Sequence, residues 1–199
     1  GAGLLHHGHQ FGAVQRVLVA LDCTPPVAQE AAEMNADLVL THHPLFFHPV
    51  QRMLYREPET AAACALLRHG IGLFAAHTNL DAAQGGVNDT LCELFGVLNA
   101  LPFDEGVGRV GTLKQPETLE QFAARVSRAL GAGAQVVGCP ASAVRRVAVM
   151  GGSGGSSIRR AAEEQADVLL TGELKHSDAL NAAALGLSIF SPAAARFLS

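Results

Sequence analysis

At 199 residues, with 49% hydrophobic and 16% charged side chains, the chain can bury one large α/β core or two small ones and is too apolar to be disordered. Its net charge of -4 and 5% aromatic content supply neither a basic footprint nor stacking platforms, which excludes nucleic acid as an expected partner. No apolar run reaches about 18 residues and no signal peptide opens the sequence, so neither a membrane span nor export is expected.

Taken from the start, Gly1 stands where a methionine is expected and marks a fragment, a processed start or a shifted numbering. His6, His7 and His9 lie among glycines in residues 1–13, which read as a loop near a site. Residues 16–21 are a strand followed by Asp22, and Pro25 and Pro26 open a helix that runs through Ala28, Ala31 and Ala32 to about Asn35. Leu38, Val39 and Leu40 then form a short buried strand, apolar without alternation, that Pro44 cannot extend. It ends at His42 and His43. Side chains alternate along a strand, so two adjacent imidazoles can face one pocket only where regular structure breaks, as the following proline favours.

Pro58 and Gly70 bracket a helix over 59–69, which leads into a strand over 71–76. This strand ends in His77-Thr-Asn-Leu-Asp81, bringing a third imidazole and a carboxylate to a strand end. The carboxyl edge of parallel strands is where α/β proteins place their sites, and histidine with aspartate suits zinc, iron or manganese. His48 and His69, each alone, read as hydrogen-bonded core or surface side chains. Gly85-Gly86 turns the chain into a helix over 87–95, closed by Gly96.

Pro102, Gly106 and Gly108 make residues 99–111 loop-like, and the domain boundary is placed there, giving domains 1–104 and 105–199. Thr118 and Gln121 form a capping box ahead of an apolar face of Leu119, Phe122, Ala123, Val126 and Leu130 that stops at Gly131. A strand over 146–150, a glycine loop over 151–155, a helix over 156–165 and a strand over 167–170 follow. The loop offers backbone N–H groups to an anion but lacks the Walker lysine, and tight strand-to-helix packing is its other reading. Shifted by 130 residues, Arg16-Val17, Val19, Ala31-Ala32-Glu33, Ala36-Asp37 and Leu40-Thr41 recur as Arg146-Val147, Val149, Ala161-Ala162-Glu163, Ala166-Asp167 and Leu170-Thr171. Two halves of one β-α-β design are therefore expected. The His-His pair falls on Gly172-Glu173, which makes Glu173, Lys175 and His176 secondary candidates for a site. Cys23, Cys64, Cys92 and Cys139 form no Cys-x-x-Cys pair and read as buried free thiols of a reducing cytoplasm. The mean hydropathy of +0.23 leads us to expect surface buried against other subunits.

With these motifs in this order, the chain resembles the GTP cyclohydrolase 1 type 2 family of dinuclear-metal proteins, also described as Nif-three-like, over nearly its whole length. The matching pieces include Thr41-His-His-Pro44, Ala76-His-Thr-Asn-Leu-Asp81, Gly85-Gly-Val-Asn-Asp89, Gly151-Gly-Ser-Gly-Gly155 and Thr171-Gly-Glu-Leu-Lys-His176. The resemblance implies a two-domain α/β fold with its site at strand carboxyl ends, a homohexameric toroid built from dimers, and two divalent ions per subunit (zinc, iron or manganese). His42, His43 and Asp81 carry over as metal ligands, and His77 stands beside the metals as a catalytic acid–base group or a further ligand. Family members close the site with a Gly-His-x-x-x-Glu segment. Residues 191–199 hold neither its histidine nor its glutamate, so either two ligands are lost or a stretch is missing from the sequence. The tail of the second domain is expected to return to the site. Ser177 likewise stands where relatives often have a histidine. Two functions follow: a metal-dependent hydrolase, with GTP ring opening as the family label suggests, or a non-catalytic metal- or ligand-binding factor that stores or delivers metal. The expected partners are further copies of the chain and a small molecule.

Overall fold

The computed structural model describes residues 3–6 and 13–192. The chain forms two compact units, Gly1–Leu80 and Asp81–Ser199. In the first, strands β1 (Gly3–His6), β2 (Val17–Ala20), β3 (Leu38–Thr41) and β4 (Gly72–Ala75) and helices α1 (Pro25–Glu33) and α2 (Pro58–His69) form a four-stranded sheet in the order β1-β4-β3-β2. β2, β3 and β4 are parallel, and β1 joins β4 antiparallel. Residues 3–6, read as loop from their glycines, thus form an edge strand, while His7 and His9 lie outside the described residues. Prolines open both helices, where a missing N–H costs nothing, and Gly70 (φ 66°) ends α2 in the left-handed conformation that glycine adopts without strain. Ala28, Ala31, Ala62 and Leu66 from the helices pack on Leu18, Val39 and Leu73 of the sheet. Side chains alternate along a strand, so Val17 and Val19 point to the opposite face, and there they are 42% and 70% exposed.

Helix α3 (Thr78–Ala82) carries the chain into the second unit, which continues with α4 (Val87–Leu94), β5 (Val97–Phe103), β6 (Gly108–Thr118), α5 (Leu119–Leu130), β7 (Ala134–Val137) and β8 (Ala143–Ser153). A 3₁₀ turn at Gly155–Ser157, α6 (Ile158–Glu163), β9 (Val168–Glu173), α7 (His176–Ala184) and β10 (Ser188–Pro192) complete it. The six-stranded sheet runs β5-β6-β8-β9-β10-β7. Residues 99–111, where the sequence reading put its domain boundary, lie inside this unit as the antiparallel β5–β6 hairpin. The Thr118 capping box forms as expected, with the hydroxyl accepting from Gln121 N and the Gln121 side chain accepting from Thr118 N.

The internal repeat extends beyond the matched residues. β2, β3 and β4 correspond to β8, β9 and β10, and each set is flanked by an antiparallel strand, β1 in one unit and β7 in the other. At atomic detail, the Asp37 carboxylate accepts from the N–H groups of Gln15 and Arg16 at 2.8 and 2.7 Å, and Asp167 does the same with Arg145 and Arg146 at 2.8 and 2.7 Å. These N–H donors, Arg16 first, hold the Asp37 carboxyl below its usual range. Arg16 and Arg146 each donate a guanidinium hydrogen bond to the carbonyl ending the helix that follows, Met34 and Glu164 respectively. The recurring Arg and Asp are therefore tie points between a strand start and a helix end. Where the units differ is in cover. Val147 and Val149, the counterparts of Val17 and Val19, are fully buried under Leu119, Phe122 and Val126 of α5, which has no equivalent among the described residues of the first unit. Ala148, Leu169 and Ile189 face the other way, against α6 and α7.

The glycine loop serves close packing. β8 runs through Gly151 and Gly152 to Ser153, Gly154 N donates to Thr171 Oγ1 at 2.7 Å, and that hydroxyl donates to Gly152 O at 3.0 Å. A Cβ on Gly172 would come 2.8 Å from the Gly152 carbonyl, so two backbones meet where side chains cannot fit. Cys23, Cys64 and Cys92 are buried as expected, but Cys139 is exposed. Among the described residues, no helix is long and apolar enough to cross a membrane.

Candidate metal centre

β3 ends at Thr41, and the chain bends at once. Thr41 Oγ1 donates to the His43 carbonyl at 2.8 Å, His43 N donates to Leu21 O at 3.1 Å, and Ala76 N donates to Thr41 O at 2.8 Å. Breaking the alternation here turns His42 and His43 to the same side, with ring centroids 5.0 Å apart. His77, two residues beyond β4, completes a triangle, its centroid 5.2 Å from that of His42 and 5.8 Å from that of His43. All three rings are half-buried, and each can place a nitrogen within 4.8 Å of the others. Among the described residues this is the one grouping of three or more histidine, cysteine or acidic side chains able to hold a metal ion. Among the described residues Glu173 and His176 form no such group, so the secondary candidates gather no cluster there.

The hydrogen bonds assign the tautomers of the pair. His42 Nδ1 lies 2.9 Å from the Ala76 carbonyl, which can only accept, so Nδ1 is the donor. His43 Nδ1 lies 2.8 Å from Asp22 Oδ1, and the same logic makes Nδ1 the donor. Metal-binding histidines are held in this way, by an acceptor on the second nitrogen. In the sequence Asp22 follows a strand and closes the family-like segment 17–22, with no role at the site assigned to it. Its signal was register: Ala20 pairs with Thr41 across parallel strands, so two residues further on Asp22 comes beside His43.

Asp81 lies one helical turn beyond His77, buried in α3, as the first residue of the second unit. Its carbonyl accepts from Asn88 Nδ2 at 3.3 Å, and the same fully buried Asn88 bonds Val107 O at 2.9 Å and Gly151 N at 2.8 Å. Asp89 accepts from Gly85 N at 2.7 Å and pairs with the buried Arg109, whose guanidinium also donates to the carbonyls of Ala82, Gly106 and Gly108. The Gly85–Asp89 motif is thus a brace for the turn that follows Asp81. Burial pushes the Cys23 thiol up to about 11 and that of Cys92 to about 12, and among the described residues no cysteine joins the histidine cluster. The expected C-terminal contribution falls largely on residues 193–199, outside the described residues.

Residues 2–193 match the family model Duf34/NIF3 (NGG1p interacting factor 3). The chain belongs to this family. Among Duf34/NIF3 relatives, the GTP cyclohydrolase 1 type 2 homolog of Clostridium perfringens is 32% identical over 192 residues, covering 88% of this chain and 70% of that one. The Streptococcus pneumoniae protein of the same name is 31% identical over 189 residues, covering 90% and 71%. A Bacillus cereus protein related to NIF3 has a crystal structure similar to this one, with a TM-score of 0.85 at 25% identity, covering 96% of this chain and 81% of its own. The Nif-three-like α/β fold implied by the motifs is therefore the fold of this NIF3 protein.

Proposed function

We propose that this NIF3 protein is a divalent-metal-binding hydrolase in which His42, His43 and Asp81 are metal ligands and His77 is the acid–base group. The observation that carries this reading is the meeting of three imidazoles at the carboxyl ends of adjacent parallel strands, two of them donating through Nδ1. The donor set fits the group, since neutral imidazole suits zinc or iron and an added carboxylate extends the range to manganese. Asp81 would supply that carboxylate and let up to two ions be held. A divalent ion held there supplies Lewis acidity and water acidified towards neutral pH. The chain contributes position: the hydrogen bonds of Thr41, Ala76 and Asp22 fix the pair, and an exposed Phe47 meets the His77 ring edge-on at 6.1 Å as an apolar wall. His77 would pass protons, imidazole being the side chain best suited to that near neutral pH.

The relatives' names make GTP the first substrate to offer, followed by simpler phosphate and amide compounds. Asp81→Asn, which keeps shape and removes charge, is expected to lose metal and hydrolysis together. His77→Gln is expected to keep most of the metal and to slow turnover by about 10²–10⁴-fold. Wild type that holds metal yet never exceeds buffer plus free metal would leave a storage or delivery factor as the better account.

The same reading includes self-association into a toroid of six, in the cytoplasm, where three buried free thiols would stay reduced. Its support is the first sheet's bare face, where Val17 and Val19 lie open although their counterparts are sealed beneath a helix. Val19→Glu is expected to shift the protein to smaller species by light scattering at micromolar concentration without loss of bound metal. A wild-type monomer under those conditions would end the assembly reading.

A further inference from the structure

We propose that Asp22 is a positioning residue that acts through His43, holding its ring as the Nδ1–H tautomer so that Nε2 faces the other two imidazoles. The inference rests on the metal-centre reading above and adds to it a residue outside the ligand set.

The geometry distinguishes the two histidines of the pair. His42 Nδ1 donates to a backbone carbonyl at 2.9 Å, and His43 Nδ1 donates to a carboxylate at 2.8 Å. A carboxylate behind an imidazole fixes its tautomer and raises the basicity of the nitrogen that faces the metal. Asp22 does not belong to the group whose ligand atoms converge, so its effect must pass through His43. The bond is anchored from both sides, because His43 N donates to Leu21 O, the residue before Asp22, while the Thr41 hydroxyl holds the His43 carbonyl. The internal repeat supplies an independent observation. At the shift of 130 residues, Asp22 falls on Gly152 and His43 on Glu173, so the unit that lacks the imidazole lacks the carboxylate as well. By contrast, Asp37 and its counterpart Asp167, which tie strand to helix, are both present. Asp22 thus goes with the histidine and not with the scaffold. The competing account is an ordinary surface ion pair, since both side chains are partly exposed, and such a pair contributes little.

Two measurements on the full chain separate these accounts. The first needs no metal: ¹⁵N–¹H correlation of the His43 ring is expected to give the Nδ1–H tautomer in wild type and in Asp22→Asn, whose carbonyl still accepts, and to lose it in Asp22→Ala. The second is competition for zinc against a chromophoric chelator. Asp22→Ala is expected to bind about 10–100-fold more weakly than wild type, Asp22→Asn to fall between, and Asp22→Ala to cost nothing further once His43 is already alanine. Circular dichroism of each variant accompanies both. An unchanged His43 tautomer in Asp22→Ala, a zinc affinity within threefold of wild type, or a full additional loss on top of His43→Ala each overturns the proposal, the last by making Asp22 a ligand itself. Wild type that takes up no zinc overturns the metal-centre reading and this one with it, and is told apart from the other failures by the wild-type titration alone.

Discussion

A chain carrying alanine at both His42 and His43 is expected to lose divalent-metal uptake, by more than about 100-fold in affinity, while folding as before. The loss should exceed the 10–100-fold that follows from removing a partner behind a ligand, because here the donor nitrogens themselves go. Stability should hold because neither ring belongs to the core of the first unit, which is built from Val39, Leu73 and the small side chains of α1 and α2. The bend itself is maintained by groups that survive the change, the Thr41 hydroxyl on the residue-43 carbonyl and the main-chain bond from residue 43 to Leu21. Metal analysis after dialysis, beside a thermal melt, reads both quantities. Metal retained at wild-type stoichiometry would mean that these histidines are not ligands.

Asp89→Asn is expected to destabilise the second unit by about 3 kcal/mol, the lower end of the cost of leaving a buried charge without its partner, since Asp89 is itself partly exposed. Arg109 is buried and cannot withdraw into water, and its remaining bonds to the carbonyls of Ala82, Gly106 and Gly108 do not neutralise it. The pH dependence follows from the direction of the shift. The Gly85 N–H, with the Arg109 guanidinium, holds the Asp89 carboxyl below its ordinary 3.8, so the folded state binds that proton less readily than the unfolded chain. The contribution is therefore fully present above about pH 4 and is lost as pH falls through the folded-state value. Urea titrations of wild type and variant should differ most near neutrality and converge in acid. A constant gap across that range would assign the effect to packing instead of charge.

Elements with strong local signals were legible in the sequence. The Thr118 capping box, the proline-led starts of α1 and α2 and the glycine stops of α2 and α5 each depend on residues a few positions apart. The repeat was legible because its matched residues include the tie points at Asp37 and Asp167. The β5–β6 hairpin was hidden by its glycines, which pointed to loop. In the structure Gly111 sits where a Cβ would lie 2.6 Å from the Leu98 carbonyl, and Gly108 passes against the Phe103 ring, so both are flat places between paired strands. That need arises only once the partner strand is present. β7 and α7 were missed because each is largely exposed and carries little apolar pattern of its own. At the candidate site, the His-His pair and His77 could be found from strand ends alone, but Asp22 required knowing which strands are neighbours.

The uncovered face of the first sheet also bears on how the protein is made. Residues leave the ribosome in order, at about 5–20 per second, and domains fold as units. The first unit therefore emerges with Val17 and Val19 on an edge strand that carries no lysine or proline to blunt it, roughly ten seconds before the second is finished. During that interval the nascent chain displays an apolar strand edge that no other described residue of its unit covers, the kind of surface through which partly made chains aggregate.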